Sequence, residues 1–397
     1  MLLSRFKAKN YKSLHQVDLP LERLTVLVGR NGAGKSNVVD ALRFVADALN
    51  VRLEYALRER GGVEEVRRRA SRRPPNFSLE VHLKDSIFWG DEKIEVNAIY
   101  FFEVGPRERD YVVVRESARI VRNLPPGDTL VSYEVRGGKL IEASRSFSAE
   151  PRQDDLFLRS VTGEPGLKDL YLTLTRIAGY NPNPEAIRQL QDPDPYPFLR
   201  RDGRNLASAL DRLPDDRKVR IKEYLSALIP GLEDVYKKSL GPKETLEFKQ
   251  EWDNKNAWRF MAHSMSDGTL RATALLVAAF QPGLSMVAIE EPEVALHPAA
   301  MRKLTDGLLE AASEKPILVT THSPDLLDHP ELDPDRVFIA EMIRGKTFIR
   351  QIHPQQRHMV REHLFTLGEL LRNEQLSFEE SLESDKETPL FYPLRVE

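Results

Sequence analysis

Cysteine is absent from all 397 residues, which excludes disulfides, thiolate metal sites and a cysteine nucleophile. No apolar run approaches the roughly 20 residues that a membrane-spanning helix needs. The opening Met1-Leu2-Leu3-Ser4-Arg5-Phe6-Lys7 lacks the apolar centre of a signal peptide, so a cytoplasmic protein with no membrane partner is expected. An excess of one charge is also missing. The 58 Lys and Arg nearly balance 61 Asp and Glu, leaving a net charge of -3 and no uniformly basic coat for nucleic acid. What is present is a globular balance, 41% hydrophobic and 30% charged. The length suits one large domain or two lobes.

Charge is nevertheless uneven. Arg58, Arg60, Arg67, Arg68, Arg69, Arg72 and Arg73 crowd one stretch, and Glu379, Glu380, Glu383, Asp385 and Glu387 make an acidic tail. The arginines have two readings, a contact surface for nucleic-acid phosphates and a solvated loop at a helix end.

Residues 1–35 read as strand, turn, strand and loop, with Leu24–Val28 an apolar run of buried-strand length. Helical spacing follows from Ser36 to about Arg58. Residues 77–145 alternate as antiparallel strands, starting with 77–83 and 93–99. Residues 155–260 read as mainly helical and irregular, with short amphipathic helices at 206–213 and 219–228. From Ser264 the order is turn, helix (270–280), strand (284–289), turn, helix (298–312), strand (316–320), which predicts a parallel sheet covered by helices. A hairpin over 336–349 closes the series.

Gly29-Arg30-Asn31-Gly32-Ala33-Gly34-Lys35-Ser36 fits the phosphate-binding pattern GxxxxGK[ST] between a strand and a helix. Gly29, Gly32 and Gly34 let the backbone turn its N–H groups toward a phosphate, and the helix start adds positive potential. Lys35 should bridge the β- and γ-phosphates of ATP, Ser36 should ligate Mg2+, and Asn31 and Asn37 should flank the nucleotide. About 255 residues further on, Met286-Val287-Ala288-Ile289-Glu290-Glu291 ends an apolar strand in two carboxylates. Glu290 is expected to hold the Mg2+ and Glu291 to polarise the attacking water.

Ser264-Met265-Ser266-Asp267-Gly268-Thr269-Leu270-Arg271 resembles the signature motif of the ATP-binding-cassette branch that includes the RecF, SMC and OLD ATPases. Glu290-Glu291-Pro292-Glu293 with Leu296-His297-Pro298 resembles its Walker B and D-loop, and Thr320-Thr321-His322-Ser323 its switch strand. Phe6-Lys7-Ala8-Lys9-Asn10-Tyr11-Lys12-Ser13-Leu14 resembles its first strand, and 180–188 narrows the likeness to bacterial AAA-family ATPases. The resemblance implies an α/β fold, an ABC-type P-loop NTPase with a mixed central sheet, an antiparallel β subdomain and a helical lobe carrying the signature. Residues 1–155 and 284–355 would form lobe I, 156–283 lobe II, and 356–397 a C-terminal helix and acidic tail. It also implies that Ser266, Gly268 and Thr269 bind the γ-phosphate on another copy's P-loop, giving a homodimer or higher oligomer with ATP sandwiched. Asp267 is expected to point away and cap its helix, and His322 to sense the γ-phosphate. His297 is open between nucleotide contact and shaping its own turn. Gln189 and Gln191 are both open as the Q-loop residue, beside a solvated-loop reading.

Two functions fit. One is an ATP-gated dimer acting on or near DNA with a separate effector such as a nuclease, in genome maintenance or anti-phage defence. The other is a slow switch that scaffolds a protein partner without touching DNA, with the tail or Tyr392-Pro393-Leu394 as docking segment.

Overall fold

The computed structural model describes residues 1–69, 75–89, 92–107, 110–122, 129–253 and 256–378. The acidic tail, Tyr392-Pro393-Leu394, Arg72 and Arg73 lie outside them. Sixteen strands are described: β1 (Leu2–Tyr11), β2 (Leu14–Pro20), β3 (Leu24–Val28), β4 (Phe77–Trp89), β5 (Glu92–Arg107), β6 (Asp110–Arg122), β7 (Thr129–Arg136), β8 (Lys139–Ala143), β9 (Ile177–Tyr180), β10 (Leu232–Leu240), β11 (Lys243–Asp253), β12 (Asn256–Met261), β13 (Met286–Glu290), β14 (Ile317–Thr321), β15 (Val337–Ile343) and β16 (Lys346–Gln351). The helices are α1 (Lys35–Asn50), α2 (Leu53–Arg58), α3 (Val63–Val66), α4 (Pro165–Leu174), α5 (Pro184–Arg188), α6 (Leu206–Asp211), α7 (Asp215–Leu228), α8 (Asp267–Phe280), α9 (Pro298–Ala311), α10 (Pro324–Leu327), α11 (Pro354–Arg361) and α12 (Leu367–Arg372).

One mixed sheet of 13 strands runs β8-β7-β6-β5-β4-β1-β2-β16-β15-β3-β14-β13-β9. Its β8–β4 end is antiparallel, and its far end, β3-β14-β13-β9, is parallel. The parallel strands β3, β13 and β14 are buried at every residue, as their unbroken apolar runs require. One face packs on α1 through Val38, Val39, Leu42 and Val45; the other packs on α8 and α9. Helix α8 is buried from Thr269 to Phe280, so it is enclosed all round, Arg271 included, rather than amphipathic.

Three expectations are corrected. The opening is three strands rather than two, because β2 is only half-buried and its apolar alternation is weak. The helix expected over 36–58 breaks at Val51–Arg52, where Arg52 is extended with φ of -172°. The segment 155–260 is not mainly helical, since β10, β11 and β12 form a separate antiparallel sheet. Among the described side chains of β11 the buried apolar residues are Leu246 and Phe248, and this short alternation around the ion-paired Glu247 is too brief to mark a strand among charged neighbours.

Candidate functional site

The register of the parallel strands assembles the site. Glu290 stands opposite Thr320, and Thr321 opposite Val28, so β13, β14 and β3 end at one level. The Gly29–Ser36 loop, Glu291 and His322 therefore emerge side by side at the C-terminal ends of the strands, where open α/β sheets hold their ligands.

The loop is braced from below. Lys35, 5% exposed, donates its Nζ to the carbonyls of Gly29 at 2.7 Å and Arg30 at 3.2 Å. Burial lowers the Lys35 pKa against the opposing pull of Glu291 and Glu293. Thr347 of β16 donates to the Ala33 carbonyl at 3.0 Å and shares a 2.7 Å hydrogen bond with Ser13. Asn37 Nδ2 donates to Ser13 Oγ at 2.6 Å, so in this state it holds the loop. Gly34 has φ of 94°, and a Cβ there would lie 2.1 Å from Thr347 Oγ1. Helix α1 carries no side-chain cap and no acid in its first turn, which leaves its first N–H groups facing the loop. Asn31 and Ser36 are exposed there.

The acidic side is more specific than the sequence showed. Glu290 is 5% exposed and pairs with Arg201 at 2.9 Å. Glu291 sits at φ of 45°, a strained conformation for a side-chain-bearing residue, and its carbonyl accepts from Arg271 at 3.1 Å. Glu293 Oε1 accepts from Thr321 Oγ1 at 2.8 Å and from the His322 N–H at 2.9 Å, with His322 Nδ1 at 3.2 Å. His322 Nδ1 is 3.8 Å from Glu291. The residue that fixes His322 is thus Glu293, quoted in its motif but given no role by the sequence. Its only sequence signal is a third acid after the Glu290-Glu291 pair.

Ser266 caps α8, its Oγ accepting from Thr269 N at 3.2 Å. Asp267 does not cap; it is the first helical residue and pairs with Arg188. Ser266 is exposed, Thr269 is buried, and Gly268 packs against the Ala295 carbonyl of the same chain. His297 caps α9, its Nδ1 accepting from Ala299 N at 3.2 Å, the contact expected of a turn-shaping residue. Gln191 is 4% exposed and accepts from Ala207 N at 3.0 Å, so it is a buried brace rather than a solvated loop residue; Gln189 is exposed. In the arginine-rich stretch, Arg60 pairs with Asp40 and Asp47, Arg67 with Glu64 and Arg69 with Glu65. Arg60 and Arg67 are buried in these pairs, while Arg69 stays exposed.

Among the described residues no group of three or more His, Asp or Glu side chains is placed to hold a metal ion by itself. Among the described residues no helix is long and apolar enough to cross a membrane.

The family model described as "AAA domain, putative AbiEii toxin, Type IV TA system" matches residues 24–328. An OLD nuclease of Thermus scotoductus is 46% identical over 44 residues, 11% of this chain and 8% of that nuclease's length. An SMC head solved with the C-winged helix domain of ScpA superposes with a TM-score of 0.53 at 18% identity, over 90% of this chain and 99% of its own. An Smc head from Pyrococcus furiosus, solved with the C-terminal domain of ScpA, gives 0.49 at 15% identity over 91% and 99%. The first of these two heads shows the fold, that of an ABC-type ATPase head.

Proposed function

The chain belongs to this AAA-domain family, and from that premise we propose that it binds and hydrolyses ATP with Mg2+ between two copies of itself. The observation that carries the proposal is the shared level at which β3, β13 and β14 present the loop, Glu291 and the Glu293–His322 pair. Lys35 and the free N–H groups of α1 bind the phosphates. Ser36 and Glu290 supply hard oxygen donors that suit Mg2+, which would neutralise phosphate charge when bound. For Glu290 to serve, Arg201 must release it or share it through water. Glu291 takes the proton of the attacking water, and its 36% side-chain exposure leaves room for one. Glu293 orients His322 toward the terminal phosphate.

The second copy follows from Ser266. It is exposed at the start of a 14-residue helix distinct from the one that follows the Gly29–Ser36 loop, and a partner's γ-phosphate would complete it. Lobe I at 1–155 and 284–355 would then face lobe II at 156–283 of the partner. Action on or near DNA with a separate effector rests on the short likeness to a nuclease. The internal pairing of Arg60, Arg67 and Arg69 favours the loop reading of the arginine stretch over a DNA contact. ATP turnover and ATP-dependent dimerisation, measured together with Mg2+ present and absent, test the proposal. A monomer that turns over ATP at a rate independent of protein concentration refutes the shared site.

A further inference from the structure

A second cleft, of 630 Å³, opens beside Glu290 and is lined by Arg43, Arg201, Arg204 and Arg271 with Asn181 and Asp202. Four guanidinium groups thus meet one lining carboxylate, and Asp202 is already engaged by Arg204 at 3.2 Å. Arg271 uses two nitrogens on the carbonyls of Pro182 and Glu291. Arg201 spends one on Glu290. Arg43 is different: it is half-buried and makes no hydrogen bond or ion pair among the described residues. The backbone is built to admit it, since a Cβ on Gly179 would lie 2.6 Å from Arg43 Cδ. Burial, then the charge of Arg201, holds the Arg43 pKa below its ordinary value. Asp47 and Asp40 pull the other way without bonding to it, so a half-buried cation beside a like charge keeps donors for an anion.

We propose that this cleft binds a phosphate-class oxyanion between Arg43 and Arg201, at a site separate from the Gly29–Ser36 loop. Arg43 lies eight residues along α1 from Lys35, about 12 Å of helix, and Lys35 turns back to the Gly29 and Arg30 carbonyls, so the two side chains serve different positions. Guanidinium forks suit such an oxyanion. The occupant is a free phosphate, because the arginines converge on one cleft rather than line a strip that a nucleic-acid backbone could follow. An anion there competes with Glu290 for Arg201, so occupancy of the cleft and freedom of Glu290 are linked. The site stands whether or not ATP is hydrolysed. That its natural ligand is the phosphate product rests on the function proposed above.

Inorganic phosphate titrated into nucleotide-free protein, followed by calorimetry, tests the site. Lys35→Ala removes the loop's contribution and should still bind phosphate saturably. Adding Arg43→Met, or separately Arg201→Gln, should weaken that binding at least tenfold; Arg201 is half-exposed, so its variant reads out even if the Arg43 variant fails to fold. Loss of all phosphate binding in Lys35→Ala, or double variants within twofold of it, overturns the proposal. Displacement of the phosphate by a short DNA duplex would reassign the cleft to nucleic acid. Binding of a fluorescent ATP analogue to the unmutated protein reports on the loop separately.

Discussion

Replacing Glu293 by alanine tests how the catalytic end of β14 is held. Glu293 Oε1 takes hydrogen bonds from Thr321 Oγ1 and the His322 N–H, and faces His322 Nδ1. Thr321 is fully buried, so its hydroxyl finds no water when the carboxylate is removed. A stranded buried donor costs about 1–3 kcal/mol, and the half-exposed His322 recovers most of its loss from water. Glu293→Ala should therefore destabilise by about 2–3 kcal/mol. Glu293→Gln keeps an acceptor oxygen and the shape, and should cost under ~1 kcal/mol. Turnover should separate the two in the same order. A misplaced imidazole lowers kcat by roughly 10–100-fold in the alanine variant, with KM for ATP little changed. Urea denaturation and steady-state ATPase kinetics give both numbers. An alanine variant as stable and as active as the parent would show that Glu293 does not hold His322.

Three further outcomes follow from particular contacts. Ser266→Arg should abolish ATP-dependent dimer in light scattering while leaving ATP binding by the monomer intact. Gly34→Ala forces a Cβ to 2.1 Å from Thr347 Oγ1 at φ of 94°, and should weaken ATP affinity at least roughly tenfold in an equilibrium binding assay. Lys315 is 4% exposed and donates to the Gln281 carbonyl, and burial lowers its pKa from 10.5 to about 8. The unfolded chain binds the extra proton between those values, so this group makes stability rise with pH from about 8 to 10.5, and Lys315→Met should flatten that slope in urea denaturation.

The parallel half of the sheet was legible because its strands are apolar throughout and end in chemistry-bearing residues. The loop from Gly29 to Ser36, the Glu290-Glu291 pair and His322 could each be read locally, and the register then placed them together. The small sheet was not legible, because the alternation Leu246-Glu247-Phe248 is short and sits among charged residues such as Lys238 and Arg259, which Glu247 pairs with. Contacts distant in sequence were invisible as well. Thr347 meets Ala33 across 314 positions, and Arg201 meets Glu290 across 89. Arg60 looked free in the sequence because its partners, Asp40 and Asp47, lie on α1, whereas Arg67 and Arg69 pair with the nearby Glu64 and Glu65.

The most direct measurement compares ATP hydrolysis and ATP binding in the parent protein and in Glu291→Gln, with Mg2+ present. If Glu291 takes the proton from water beside the Gly29–Ser36 loop, the variant should bind ATP as the parent does. It should lose at least roughly 100-fold in turnover, the range expected for a general base, and accumulate dimer. A variant that hydrolyses ATP at the parent rate, or a parent protein with no ATPase activity as a dimer, would contradict the account.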